Sequence, residues 1–470
     1  MSSFYIQQFG CRATQADGAA IERQLLERGC TLAECPRDAE IVVINTCTVT
    51  AAADTQARDT IRKIHAQNPA VRIVVTGCYA QRAPEDLALL PGVSWVVGNS
   101  HKASIPDLVT TSSSATAPRS QEDFVSLDAL LTKNLDSEST SPNILVGDIF
   151  ATSDVLVAPV FGGEGNHTRP TLKIQDGCNS RCAFCVIPFV RGKSRSLAPD
   201  RVIAEVNRLA RSGFREIVLS GINLGTWGRD LVPRIEFIDL LRRILDETPV
   251  ERLRLSSIEP LDVTRELIDL FAANDRIACH FHLPLQSASD RILAAMHRWY
   301  RSEHYARRVE TIRDRLADAA IGADVIAGFP GETEQDHAAT LAFIERLPFT
   351  YLHVFSYSLR PGTRAALLPN QVSPHIIKRR ARELRALGDQ KAAAFQRSQI
   401  GRTVRVLTLH SDERDCEITP ALSSNYLQIE VPGSFLFNQW FDVRLCDERN
   451  GRLLGSPIAI PQEAGTPFSA

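Results

Sequence analysis

Three cysteines in a C-x3-C-x2-C run, Cys178, Cys182 and Cys185, are the residues of this 470-residue chain whose type and spacing speak most directly of chemistry. Thiolates so close in sequence can share one cluster of soft iron. A cubane [4Fe–4S] centre wants four ligands, so three leave one iron open to a small molecule. Structural zinc prefers paired C-x2-C knuckles with a fourth Cys or His, and no such partner lies close by. A second set is spread out: Cys11, Cys47 and Cys78 each follow a short apolar run, at residues 4–9, 41–45 and 71–76. In a parallel sheet the loops after successive strands share one edge, the edge where ligands bind. All three sit beside Gly10, Asn45-Thr46 or Gly77, where backbone can approach a ligand. The spacing therefore predicts a second cluster on that rim, against the alternative of three small core residues. Cys30, Cys35, Cys279, Cys416 and Cys446 have no such company and read as inert thiols.

The elements that must position these thiols are α/β in pattern. Residues 1–105 alternate apolar strands with helices of 10 to 17 residues, for example 15–28 and 51–67, which predicts a doubly wound parallel sheet. Residues 106–167 read as an insertion or linker. Ser and Thr fill 13 of the 33 positions from 110 to 142, too little apolar surface to offset ordering entropy. The alternation resumes over 168–398, with strands expected at 171–175, 216–219, 252–255, 279–283, 322–326 and 351–354. Six βα units predict a partial (βα)6 barrel with its active site at the C-terminal strand ends, where the Cys178 run falls. A basic helix over 374–398 closes that domain. The tail, 399–463, alternates like strands at 402–409, 426–431 and 439–445 and predicts a small β-barrel.

Composition narrows the function classes. A 23% charged and 44% hydrophobic chain is globular, and no apolar run approaches the ~18–20 residues of a membrane span. The first residues lack a signal-peptide pattern, so a cytoplasmic address is expected, with reduced thiols and no disulfide framework among the 11 cysteines. A net charge of −2 excludes a globally basic nucleic-acid coat but leaves room for a local one. Residues 376–405 supply one: nine Lys/Arg, among them Lys378, Arg379, Arg380, Arg402 and Arg405, against Glu383 and Asp389. This stripe suits phosphate contact, with Arg298, Arg301, Arg307 and Arg308 extending it and Tyr300 or Phe437 as stacking candidates.

Taken together, these residues resemble the radical S-adenosylmethionine methylthiotransferases. The Cys178-Cys182-Cys185 run, with Phe184 before its last thiol, is similar to the superfamily's cluster motif. Phe9-Gly10-Cys11-Arg12, Asn45-Thr46-Cys47-Thr48-Val49-Thr50 and Thr76-Gly77-Cys78-Tyr79-Ala80-Gln81 resemble the family's N-terminal domain, and the tail resembles its RNA-contacting TRAM barrel. Residues 45–50 and 77–81, with His353-Val354-Phe355-Ser356-Tyr357-Ser358, look most like the MtaB branch, which converts N6-threonylcarbamoyladenosine beside the tRNA anticodon to its 2-methylthio form.

The resemblance implies two [4Fe–4S] clusters and S-adenosylmethionine. Cys178, Cys182 and Cys185 would hold the radical-generating cluster; Cys11, Cys47 and Cys78 would hold an auxiliary cluster that carries the sulfur group. A radical is required because an adenine C–H bond has no acidic proton to remove. Ser220 and Gly221 loosely resemble the Gly-Gly-Glu element that holds the methionyl amine. Ser256, Ser257, Glu259, Gln286 and Gly328 occupy later strand ends where the cofactor would lie, and His280 and His282 read as strand packing. The implied partners are a tRNA anticodon stem-loop, a flavodoxin- or ferredoxin-like electron donor and a sulfur donor, with no membrane, around a monomer. Two alternatives stay open. One is the same chemistry on N6-isopentenyladenosine or a ribosomal-protein aspartate; the other is a non-catalytic iron–sulfur RNA-binding protein.

Overall fold

The computed structural model describes residues 2–111, 142–152, 155–156, 159–160, 168–410, 417–449 and 451–458. Cys416 and most of the Ser/Thr-rich segment lie outside them. The chain forms two compact units, Met1–Thr152 with Phe189–Gly192, and Ser153–Pro188 with Lys193–Ala470.

In the first unit, strands β1 (Ser3–Gln8), β2 (Thr31–Leu32), β3 (Ile41–Thr46), β4 (Arg72–Gly77), β5 (Val93–Gly98) and β6 (Asn143–Leu145) form a wholly parallel sheet in the order β2-β1-β3-β4-β5-β6. Strand β3 is apolar at successive positions because it is covered on both faces. Val42 and Ile44 pack with Ala57, Ile61 and Ile64 of the helix Ala51–Gln67, while Ile41 and Val43 pack with Ile21, Leu25, Ile105 and Val109. Thr50 caps the helix Ala51–Gln67 by accepting the Ala53 N–H at 3.2 Å. Strand β6 lies beyond the Ser/Thr-rich segment yet pairs with β5, so the sheet draws on residues read in the sequence as linker.

In the second unit, β8 (Thr171–Asp176), β10 (Glu216–Gly221) and β11 (Arg252–Leu255) run parallel, with the short β7 (Pro159–Val160) and β9 (Arg195–Ser196) antiparallel to β8. Strands β12 (His280–His282), β13 (Ala320–Ala327) and β14 (Tyr351–Ser356) form a second parallel set, and a Leu253↔Ile277 bridge links β11 toward β12. The result is the expected open arc of six parallel strands. One face is apolar: Leu172, Ile174, Leu219, Leu253, Phe281 and Ile321 pack beneath the outer helices. The period-2 alternation turns Lys173, Gln175, Glu216, Arg252, Arg254, His280 and His282 to the other face, all buried.

Strands β15 (Thr403–Thr408), β16 (Ile418–Ser423), β17 (Gln428–Pro432), β18 (Trp440–Arg449) and β19 (Arg452–Pro457) close a five-stranded barrel around Val406, Ile429, Phe441, Val443 and Leu453. It is fixed to the starts of the arc's strands. Arg252 donates to the Leu422 carbonyl at 3.0 Å, and Arg254 to the Ser423 and Ser424 carbonyls, each at 3.0 Å. Arg252 also lies 4.3 Å over the Trp440 ring. Both guanidiniums, with Arg169, surround the fully buried Glu216. Burial alone would push the Glu216 carboxyl up, but Arg254, Arg252 and Arg169 hold it far below the usual carboxylate range. Burial lowers Arg252 to about 10, still charged at neutral pH.

Candidate active site and thiol centres

The C-x3-C-x2-C loop begins where β8 ends, and Gln175 of that strand shapes it. Its side-chain amide donates to the carbonyls of Asp176 (3.1 Å) and Gly177 (2.7 Å) and to Ser194 Oγ (2.9 Å), while its oxygen accepts the Asn223 N–H at 2.8 Å. One side chain thus joins the cysteine loop to the turn after β10. The far end of the loop is pinned by backbone bonds, Ala183 N–H to Met296 O at 2.9 Å and Ala365 N–H to Ala183 O at 2.8 Å. Phe184 packs against the small cluster of Ile292, Met296 and Phe329.

Electrostatics around the thiols are uneven. Burial pushes Cys182 up, and pushes Cys185 up to about 12, so as free thiols they would stay protonated at neutral pH. Arg298 opposes this at Cys182, donating to its Sγ at 3.5 Å. The same guanidinium makes a two-pronged ion pair with Glu259, one arm at 3.1 Å. Burial raises Glu259 despite that partner. A cavity of about 530 Å³ opens here, lined by Cys182, Asn223, Arg229, Glu259, Arg298 and Trp299 among others. That volume is within the range of pockets for ligands of cofactor size. Two buried polar atoms, Asn223 Oδ1 and Ser256 Oγ, have no hydrogen-bond partner among the described residues. A soft three-thiol set beside a cavity into whose lining the orphaned Asn223 amide oxygen falls fits both an iron–sulfur cluster and a small polar ligand on its open iron.

The other sequence-predicted residues are distributed around this centre. Ser220 is buried on β10. Gly221 meets Gln175 so closely that an added Cβ would lie 2.9 Å from its Oε1. Ser257 Oγ lies 2.6 Å from His282 Nδ1, and His282 Nε2 lies 3.1 Å from Asp324, which also faces His353 at 3.4 Å. Burial alone would raise Asp324, but hydrogen bonds from these two histidines bring it down to about 2. His282 is therefore part of a polar triad as well as strand packing. His280 donates or accepts a bond with Tyr351 Oη at 2.7 Å and stacks on Tyr426. Gln286 has a left-handed backbone, φ 63°, held by its N–H to Asp324 O at 2.7 Å. The Gly328 N–H is taken by Glu332 Oε2 at 2.6 Å.

In the first unit the three spaced cysteines fall on neighbouring strand ends, as the sheet order β1-β3-β4 requires. Cys11 precedes the helix Arg12–Glu27 at its N-cap position, Cys47 follows β3, and Cys78 opens the short helix Cys78–Arg82. A Cβ at Gly10 would lie 2.3 Å from Cys47 Cβ, and one at Gly77, whose φ is +102°, would lie 2.3 Å from Thr46 O. Only glycine permits these approaches. Burial, then the proximity of Cys78 and Cys11, pushes Cys47 up to about 11. Asn99 Nδ2 donates to Cys78 Sγ at 3.6 Å, and Lys102 and Arg191 share the buried Asp17 at 2.8 and 3.0 Å. Three thiols gathered on neighbouring strand ends, with Cys47 buried among them, form a soft donor set of the kind a metal ionises on binding.

The basic stripe needs correction. Arg380 is buried and ion-paired with Glu332 at 2.8 Å and Glu334 at 2.8 Å, so it is not a surface cation. Arg379 is held by Glu334 and Glu383, Arg402 by Asp318, and Arg405 lies over Trp440, while Lys378 is exposed. Arg298 is likewise occupied beside Cys182. Tyr300 does not offer a stacking face: it is buried, its hydroxyl donating toward the carbonyls of Pro284 (2.8 Å) and Leu285 (2.9 Å). Phe437 is half-buried, edge-on to His410. The sequence pattern places Arg298 in the basic patch rather than at the cysteine cavity and gives no sign of Trp299 there, because only the turn after the helix Asp290–Ala295 brings the two to it.

Comparison with known proteins accords with this geometry. The model of the radical SAM superfamily matches residues 172–344, and that of the uncharacterized protein family UPF0004 matches residues 3–98. The structure of the radical S-adenosylmethionine methyltransferase TsrM from Kitasatospora setae, with cobalamin and a [4Fe–4S] cluster bound, has the same fold (TM-score 0.52, 18% identity, 78% of this chain and 77% of that one). An open β/α arc with three cysteines after its first long strand, matched by that superfamily, is a radical S-adenosylmethionine enzyme. A threonylcarbamoyladenosine tRNA methylthiotransferase MtaB from Aquifex aeolicus is 35% identical over 91% of this chain and 96% of its own, and one from Bacillus subtilis is 34% identical over 92% and 91%. A tRNA-2-methylthio-N(6)-dimethylallyladenosine synthase from Syntrophobacter fumaroxidans is 35% identical over 82% and 79%. The chain belongs to the radical S-adenosylmethionine methylthiotransferase family and is most like its MtaB branch. Membership implies a [4Fe–4S] cluster and S-adenosylmethionine.

Proposed function

We propose that this enzyme converts N6-threonylcarbamoyladenosine at tRNA position 37, next to the anticodon, to its 2-methylthio derivative. The observation that carries this reading is the similarity to MtaB enzymes across nine-tenths of the chain. Cys178, Cys182 and Cys185 would hold the iron–sulfur cluster, which when bound would supply the one-electron reduction of the S-adenosylmethionine sulfonium, with methionine leaving, that chemistry at an unactivated C–H bond requires. The protein's own part is to bind and orient. Arg298 balances negative charge at Cys182, Asn223 Oδ1 and Ser256 Oγ offer acceptors to the methionyl or ribose groups, and Gln175 fixes the loop geometry. Cys11, Cys47 and Cys78 hold a second [4Fe–4S] cluster that carries the sulfur group.

The partners on this reading are the tRNA anticodon stem-loop, an electron donor and a system that restores the sulfur. Among the described residues no helix is long and apolar enough to cross a membrane, which suits a cytoplasmic tRNA enzyme. A second reading, the same chemistry on the isopentenylated (dimethylallyl) adenosine, is favoured by the relatives named for that nucleoside. Anaerobic turnover of the cluster-loaded enzyme on stem-loops carrying either nucleoside distinguishes them. Thiomethylation of the threonylcarbamoyl substrate alone is expected; preference for the dimethylallyl substrate would overturn the assignment.

A further inference from the structure

Trp299 is 78% exposed, an unusual place for the largest apolar side chain when its neighbours on both sides are fixed. Arg298 is tied to Glu259 and Cys182, and the buried Tyr300 hydroxyl to two carbonyls. The backbone before it is fixed too. His297 takes a left-handed conformation, φ 59°, at the end of the helix Asp290–Ala295. Its N–H bonds Ala294 O at 3.0 Å, and the Arg298 N–H reaches back to Leu293 O at 2.9 Å. These are the two bonds of a Schellman close. A non-glycine residue accepts the left-handed cost at the turn that delivers Trp299 to the mouth of the cysteine cavity.

The rim around that mouth has a definite chemistry. Leu261, half exposed, and Arg229, held by Asp262 at 2.5 Å, line the same cavity. Arg301 is exposed two residues on, and the exposed Arg364 donates to His297 at 2.6 Å. An indole face, an aliphatic edge and several guanidiniums match a flat, polar-edged ring on an anionic backbone. We propose that Trp299 is a stacking platform for an unpaired nucleobase of the substrate RNA, holding the loop at the cavity entrance so that the target base can reach the cysteine centre. Stacking on an open aromatic face tolerates any base, so the residue positions the RNA rather than reading its sequence. This rests on the proposed RNA substrate.

The test uses the anaerobic, cluster-loaded enzyme and a synthetic anticodon stem-loop carrying N6-threonylcarbamoyladenosine. Trp227 and Trp440 are buried and Trp95 is half-buried, so an emission change at the red, solvent-exposed edge reports Trp299. Stem-loop binding should quench that edge, and replacing one loop nucleotide by an abasic site should abolish the quench. Trp299→Ala should weaken stem-loop binding about 5- to 100-fold and raise KM more than it lowers kcat, while Trp299→Phe retains most of the affinity. Because the side chain is exposed, both variants should melt with the wild type. Wild-type binding with an unchanged Kd and KM in Trp299→Ala would overturn the platform and leave the RNA reading intact. Failure of the wild type to bind the stem-loop, or a quench produced instead by a ribosomal-protein peptide, would overturn both.

Discussion

Replacing Arg298 by Met should destabilise the second unit in a pH-dependent way. The Arg298 side chain is 6% exposed and its partner Glu259 26%, so the substitution leaves a largely buried carboxylate with no counter-charge. Removing one member of a buried pair costs about 3–5 kcal/mol; the partial exposure of Glu259 places this case near the lower end, about 3 kcal/mol. For a unit of roughly 300 residues, with an unfolding entropy of about 2.1 cal/mol/K per residue, that is a fall of about 5 °C in Tm. Burial already raises Glu259 with Arg298 present, and its loss raises it further. An acid whose folded pKa exceeds its unfolded value is penalised in full above the folded pKa and not at all below the unfolded one. The Tm deficit should therefore be large at pH 8 and shrink toward pH 5. Anaerobic scanning fluorimetry of Arg298→Met, with Arg298→Met/Glu259→Gln as the partner variant, makes the comparison. A deficit equal at both pH values, or not relieved in the double variant, would refute the buried-pair account.

Other consequences are equally direct. Glu216→Gln removes the anion shared by Arg169, Arg252 and Arg254 and should cost about 3–5 kcal/mol, read as a lower denaturant midpoint. Gly77→Ala places a Cβ against Thr46 O and should halve bound iron, from about eight to about four per chain by colorimetric assay, if each thiol set holds a [4Fe–4S] cluster. Cys182→Ala should abolish 5′-deoxyadenosine formation, whereas Cys47→Ala should still cleave cofactor but yield no methylthio product in chromatographic assay.

How far the sequence could be read depended on whether partners were local. The Cys178 run is compact, and Cys11, Cys47 and Cys78 each follow a strand whose apolar pattern is plain, so sheet topology alone gathers them. Strand β16 escaped the sequence pattern because Pro420 interrupts it, and β19 because Gly455 does. β6 lies across a Ser/Thr-rich stretch from its partner β5. Arg380 read as a surface cation because its ion-pair partner Glu332 lies 48 residues upstream. Arg298 is 116 residues from the thiol it touches, and Trp299 reaches the cavity through a left-handed turn at a histidine, which no glycine announces. Charge counted along a helix could not tell solvated arginines from those held by carboxylates.

The central claim, a 2-methylthio transfer to N6-threonylcarbamoyladenosine in tRNA, is tested most directly by mass spectrometry of tRNA nucleosides from a strain lacking this gene. Loss of the 2-methylthio derivative, its unmodified precursor accumulating, and its return with wild-type protein but not with Cys182→Ala is the predicted result. Persistence of that nucleoside in the deletion strain would contradict the account.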